Sequence, residues 1–100
     1  MVLNKLIVGD IYLVDGNVVI GTTFESVEAK EKGTALNSSF FTDQWKNKRL
    51  EISGDGYKVE AKILDIKVTS SISDFKNIIF LTDLTSKENI KNNDSVIVLV

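Results

Sequence analysis

Apolar and polar residues alternate along much of the chain with the period of two that is typical of half-buried strands. The clearest example is residues 57–63, in which apolar residues alternate with lysine and glutamate. From Leu64 onwards the apolar residues continue on the opposite parity, so one extra residue near Ile63 and Leu64 is needed to keep them on one face. The pattern therefore predicts a long strand bent by a β-bulge, followed by a polar loop over residues 69–74.

Other apolar segments, separated by clusters of Gly, Asn, Asp and Ser, also predict strands. The DGN sequence at 15–17 is a tight-turn signal, which makes residues 11–24 a hairpin. Gly9-Asp10 breaks the first strand in two or bends it, and Gly21 indicates a bulge or a close backbone approach. The fifth strand is apolar at almost every position, which predicts that both of its faces are covered. These strands are 3–14, 18–24, the residues around Leu50 and Ile52, 77–84 and 95–100.

The hairpin around the SGDG sequence can form in two registers that both keep its apolar residues on one face. A turn centred on Asp55-Gly56 places like charges directly opposite each other, whereas a turn centred on Gly54-Asp55 places opposite charges there. Opposite charges facing each other across a strand pair contribute roughly 0.2–1 kcal/mol. The sequence therefore favours the second register, with Arg49 opposite Glu60 and Gly54 in the positive-φ position of a type II′ turn.

Two polar segments have helical signals. SVEAKEKG is either a short helix that Ser26 caps and Gly33 ends, or a charged loop. Near the C-terminus, Ser86 is placed to cap a single helical turn, and Asn92 or Asn93 is suited to the left-handed conformation that closes it.

Three stretches of the chain resemble domain II of the translation GTPases, such as elongation factor Tu. They are LIVGDIYLVDGNVVIGTTFES, KVEAKILDIKV and DFKNIIFLTDLTSKENIKNNDSVIV, in that order along most of the chain. The resemblance implies an all-β fold: one small closed barrel of six to seven strands over residues 1–100, with one or two short helical turns and a binding role. Asn93 replaces the glycine usual in the last turn of that family, and residues 27–47 are longer than the family needs.

The side chains present exclude several kinds of chemistry. The chain has no histidine and no cysteine, so it has no Ser-His-Asp or Cys-His arrangement, no imidazole or thiolate metal ligand and no disulfide. It also lacks the G-x-x-x-x-G-K-[ST] loop that holds nucleotide phosphates. Its 14 acidic residues are spread without a spacing that singles out a catalytic pair. We therefore expect no enzymatic activity, no catalytic residue, no cofactor and no bound metal.

Charge and hydropathy limit the partners. The net charge of −2 makes nucleic acid a less favoured partner, because domains that bind phosphates are usually basic. Charged residues interrupt every apolar run, so no stretch is long enough to span a membrane. The absence of cysteine and of a signal-peptide pattern at the N-terminus favours a cytoplasmic location.

Residues 37–49, NSSFFTDQWKNKR, combine three aromatic side chains with a short basic run. Phe41 and Trp45 are four residues apart, so they lie on one face of either a helix or a strand. We expect these two to pack on the barrel and Phe40 to be more exposed. Phe40, Lys46 and Lys48 are then the predicted partner-binding residues.

The resulting hypothesis is a non-catalytic protein-binding module. Its sharpest form is an inhibitor of the immunity or antitoxin type, which binds a bacterial toxin and covers it. The alternative is a translation-associated accessory domain that binds RNA or a ribosomal or translation protein, as the resemblance suggests.

Overall fold

The computed structural model describes residues 5–34, 38–70, 76–86 and 89–99. Within these ranges, six antiparallel strands close into a barrel, which confirms the predicted fold class. The strands are β1 (Lys5–Val14), β2 (Asn17–Phe24), β3 (Arg49–Gly54), β4 (Tyr57–Ser70), β5 (Lys76–Thr82) and β6 (Ser95–Leu99), and the helices are α1 (Val27–Thr34) and α2 (Ser38–Trp45). The strand order around the barrel is β1-β2-β5-β4-β3-β6, with β6 pairing back to β1.

The first hairpin forms as the turn signal predicts. Asp15 and Gly16 both have positive φ, 50° and 84°, which is the conformation that Asp-Gly favours in a two-residue hairpin turn. β1 is one strand with a register shift around Gly9, so the Gly9-Asp10 sequence bends it and does not break it. The shift lies opposite Gly21, where an added Cβ would make only an ordinary contact of 3.6 Å with Asp10 Cβ.

The predicted register of the β3–β4 hairpin is wrong. Gly54 pairs with Tyr57, so Asp55 and Gly56 form the turn, and Gly56 has a φ of 75°. Gly54, which was expected to have positive φ, does not have it.

The observed register also pairs its charges, but diagonally. Glu51 faces Glu60 directly, but Lys58 Nζ lies 3.7 Å from Glu51 Oε1 and Arg49 Nε donates to the Glu60 carboxylate. Long side chains reach diagonal neighbours across a strand pair. The prediction considered only directly opposite residues, and this is why it chose the other register.

The predicted bulge in β4 is confirmed. The register shifts between Ile63 and Asp65, which leaves Leu64 as the extra residue, and Ile63 is fully buried. Residues 57–62 pair with β3, whereas Ile63 and the residues after the bulge pair with β5. At the change-over the segment after α2 replaces β3, because Ile63 N donates to Lys48 O at 2.8 Å and Asn47 N donates to Ile63 O at 3.0 Å.

Of the two alternatives for SVEAKEKG, the helix is the one that forms: Ser26 caps α1, its Oγ accepting a hydrogen bond from Ala29 N at 3.1 Å. Gly33 does not end this helix, which continues to Thr34. Near the C-terminus no helix is present at Ser86, Asn89 or Ile90. Asn93 has the left-handed conformation, with a φ of 73°. The loop predicted at 69–74 begins later, since β4 continues to Ser70. Several predicted features lie outside the described residues: residues 71–75 of the loop region, residues 87–88 of the helical turn, and residues 3–4 and 100 of the first and last strands.

The core fills the barrel, and the helices cover one end of it. Inward-facing side chains of all six strands are buried there, and α2 packs on β4. Phe41 and Trp45 of α2 extend the core, with ring centroids 5.8 Å from Phe24 and 6.0 Å from Phe80, respectively. In the described parts of the chain, no helix is long and apolar enough to cross a membrane.

Candidate protein-binding face

Outward-facing apolar residues form a band across β1, β2 and β5. The strand registers align Tyr12 with Val19 and Val19 with Leu81. In β5, Ile79 and Leu81 alternate with the fully buried Ile78 and Phe80 and therefore point outwards. We call this band the outer apolar face; its residues are Tyr12, Val14, Val19, Ile79 and Leu81.

The exposure of this face is unusual for a small barrel. The water-facing side of an antiparallel sheet is normally polar, yet Tyr12 is 52% exposed and Val14 48% exposed, and Val19, Ile79 and Leu81 are only half-buried. The prediction that both faces of β5 are covered is therefore right for the inner face and only half met on the outer one. A second protein surface would complete the burial that the sequence of β5 indicates.

Charged residues border the face. Asp10 lies opposite Gly21 at one side, while Lys67 lies opposite Ile79 at the other. Asp65, opposite Leu81, receives Lys46 Nζ at 3.6 Å. An apolar centre with a charged rim is the usual arrangement of a protein–protein interface.

β1 also has an open backbone edge beside this face. It pairs with β6 only over residues 5–7, and the next residue, Val8, exchanges backbone hydrogen bonds of 2.8 and 3.0 Å with Asn93 and Asp94. Beyond Val8, no strand in the described ranges pairs with β1 on the side away from β2.

The hydrogen bonds of Val18 show which backbone groups point to that edge. Val18 N donates to Leu84 O at 2.8 Å, and Val18 O accepts from Thr82 Oγ1 at 2.8 Å, so both groups point away from β1. Its partner Leu13 therefore belongs to a non-hydrogen-bonded pair, and its N–H and C=O point away from β2. By the same alternation, Ile11 presents its N–H and C=O to the open edge.

The predicted site residues are only partly brought together. Phe41 and Trp45 are buried, as expected, while Phe40 is half-buried with its ring edge-on to Phe41 at 5.3 Å. Lys46 reaches Asp65 at the border of the outer apolar face. Lys48 has an exposed side chain, and its backbone accepts from Ile63. Thus Lys46 adjoins the new face, whereas Phe40 belongs to the surface of α2.

Sequence reasoning missed the outer apolar face. Residues 11–14, IYLV, are all apolar, so they give no parity that separates an inner face from an outer one. The signal that the sequence did contain is the run of β5, which is apolar at almost every position and therefore predicts burial on both faces of the strand.

A polar cleft of about 620 Å³ lies between the β3–β4 turn and residues 89–95. Inside it the Tyr57 hydroxyl donates to the Asp94 carboxylate, which also accepts from Lys91 N at 2.8 Å. Burial, and then the neighbouring Asp94 carboxylate, raises the pKa of Tyr57 well above its usual range. The raised pKa favours the protonated phenol, and the two hydrogen bonds to Asp94 hold the loop before β6 against the β3–β4 hairpin.

No group of three or more acidic side chains that could hold a metal ion occurs among the described residues. No protein-family model matches the chain, and neither a curated protein nor a solved structure matches it significantly.

Proposed function

We propose that the chain is a non-catalytic module that binds another protein through the outer apolar face. The observation that carries the proposal is the Tyr12–Val19–Leu81 row, an apolar row that runs across three strands on the outside of the barrel. Contact with a second protein would remove these side chains from water, at a gain of roughly 25 cal/mol per Å² of apolar surface. Tyrosine is also one of the residues that most often dominate binding energy.

The absence of histidine and cysteine from the sequence supports a role in binding and not in catalysis, because many general acid–base and nucleophilic mechanisms use these side chains. An inhibitor of the immunity or antitoxin type is the form of this function that we favour from the sequence. Such an inhibitor needs only a rigid surface that covers its target, and a closed barrel provides one.

Two variants with matched polarity changes test the proposal. The partner is first captured in the native host with a photo-crosslinking residue at position 12, and is then purified. Each of Tyr12→Thr and Ile79→Thr places a β-branched residue, which suits a strand, at the position while removing apolar area. We expect each variant to weaken binding of the purified partner about tenfold, a loss of about 1.4 kcal/mol.

The control is Ile97→Thr, since Ile97 is also half-buried and lies between the buried Val96 and Val98 of β6. It pairs with Lys5 at the opposite end of β1 from Tyr12. This control variant should leave affinity within about twofold of wild type. If Tyr12→Thr and Ile79→Thr bind normally while Phe40→Ala does not, the binding surface lies on α2 and the proposal is wrong.

A further inference from the structure

The open edge of β1 is short and has definite ends. It begins after Val8, which is occupied by residues 93–94, and it stops at the Asp15-Gly16 turn. Between these ends, Ile11 and Leu13 present four backbone hydrogen-bonding groups. Leu13 is itself 50% exposed. An edge of this length suits one extended segment of about five residues, at about 3.3 Å per residue.

The charges at the two ends of the edge have one sign. Asp10 and Asp15 are both exposed, and neither forms an ion pair with any described residue. Between them, residues 11–14 are all apolar. The edge is therefore complementary to a segment with apolar residues in its middle and basic residues at its ends.

A second copy of the chain fits this edge poorly. Paired antiparallel, two copies would bring Asp10 and Asp15 of both chains into one short interface. The half-exposed side chains at this edge are Tyr12, Leu13 and Val14, whereas a standard interface involves about 20–30 residues on each side. An extended peptide needs less area, because backbone hydrogen bonds supply much of its binding.

We infer that the open edge of β1 binds an extended segment of the partner protein by strand addition, and that this segment is apolar in its middle and carries Lys or Arg at its ends. This inference rests on the proposed function. It specifies that the bound element is an extended strand and that its ends are positively charged. A residue of the segment opposite Tyr12 would share the outer side of the sheet with Tyr12, so the edge and the outer apolar face form one continuous surface.

The decisive comparison is Leu13→Pro against Leu13→Ala. Both substitutions remove the leucine side chain, but only proline removes the N–H that points to the open edge. Because that N–H takes no part in the β1–β2 ladder, proline is tolerated there as it is on other edge strands. We expect Leu13→Pro to bind the captured partner at least tenfold more weakly than Leu13→Ala, with unchanged circular dichroism for both.

A displayed library of random heptapeptides tests the chemistry of the segment. Selection on the wild-type chain should enrich peptides with Val, Ile or aromatic residues at the centre and Lys or Arg near the ends. The double variant Asp10→Asn, Asp15→Asn should lose the preference for basic ends. Methylating the amide nitrogens that face the edge should abolish binding of a selected peptide, whereas methylating the alternate ones should not, and this readout does not depend on any variant folding.

Several outcomes overturn the inference. They are equal affinity of Leu13→Pro and Leu13→Ala for the partner, no enriched peptides, or a wild-type dimer in sedimentation that Leu13→Pro dissociates. If Ile79→Thr loses partner binding while Leu13→Pro matches Leu13→Ala, the proposed function stands and strand addition is wrong. If Leu13→Pro loses binding while Tyr12→Thr and Ile79→Thr do not, the edge binds and the outer apolar face does not.

Discussion

Gly33 shows how one residue can oppose the propensity of the helix that contains it. Alanine is favoured over glycine inside a helix by about 1 kcal/mol, which alone predicts that Gly33→Ala stabilises α1. However, a Cβ at Gly33 would lie 2.6 Å from Cε2 and 3.0 Å from Cζ of Phe24. Phe24 is 1% exposed and packs on Phe41, so its ring has no free space to enter.

We therefore expect Gly33→Ala to destabilise the protein, because overpacking a filled core costs about 1–3 kcal/mol and exceeds the gain in propensity. The midpoint of a thermal melt should fall by about 5 °C. Glu31→Ala changes an exposed position of the same helix and should stay within about 0.5 kcal/mol of wild type. A higher melting temperature for Gly33→Ala would show that Phe24 can move and that propensity decides.

The burial of a single residue could be predicted from the sequence where the spacing of apolar residues shows which face of the strand or helix it lies on. Phe41 and Trp45 share a face in any regular structure, and Ile63 marks the end of one parity, so their burial was predictable. Tyr12 lies in a run without polar residues, and alternation says nothing about its exposure. Its place on the outer face depends on the pairing of β1 with β2, which is a property of the hairpin and not of the residue.

At the scale of elements, the strands, the bulge in β4 and the Asp15-Gly16 turn were predictable because each has a local signal. The register of the β3–β4 hairpin was not, because both registers bury the same residues. Exposed ion pairs contribute only about 0.2–1 kcal/mol each, and Arg49 and Lys58 find their acidic partners diagonally. The conformation of the turn then decides, and Gly56 takes its positive φ.

The Tyr57–Asp94 hydrogen bond ties the β3–β4 hairpin to the loop before β6, and it predicts a pH dependence. The pKa of Tyr57 is raised in the folded protein above its ordinary value of 10.0. At a pH between 10.0 and the raised pKa of the folded protein, the unfolded chain has lost the phenol proton and the folded chain keeps it. The resulting contribution to stability is complete below about pH 10 and declines as the pH rises above it.

Tyr57→Phe removes both the hydrogen bond and this titration. At pH 7 the variant should unfold with about 1 kcal/mol less free energy than wild type. Above pH 10 the difference should narrow, since only the wild type loses the contribution of the protonated phenol. Urea denaturation at pH 7, 9 and 10.5 measures it, and Tyr12→Phe, which removes the exposed tyrosine hydroxyl, should match wild type at pH 7. A constant difference across this range would mean that Asp94 does not hold the Tyr57 proton.

At the scale of the whole molecule, the closed barrel was predicted by the resemblance to domain II of the translation GTPases, and the bulge in β4 agreed with it, because small barrels turn their corners with bent strands. The outer apolar face was not predictable, because it depends on which parts of the strands the barrel leaves unpaired or uncovered. β1 is longer than the stretch that β6 pairs with, and β5 is apolar on a side that the barrel itself only half covers. The unpaired part of β1 and the apolar outer side of β5 lie next to each other on the outside of β1, β2 and β5. The barrel does not need either of them in order to close.

The net charge of the chain leads to a prediction about the salt dependence of binding, which distinguishes a protein partner from RNA. A surface that holds six or more phosphates loses about 10³–10⁵ in affinity between 50 and 200 mM salt. The outer apolar face instead has Asp10, Asp65 and Lys67 at its border, and the net charge is −2. We expect the dissociation constant for the captured partner to change by less than about tenfold over that range, because only a few rim charges are screened.

Calorimetric titrations at four salt concentrations measure how the dissociation constant depends on salt. The double variant Asp10→Asn, Asp15→Asn should reduce this salt dependence further. A steep loss of affinity with salt that this double variant leaves unchanged would favour the translation-associated alternative, in which the chain contacts RNA.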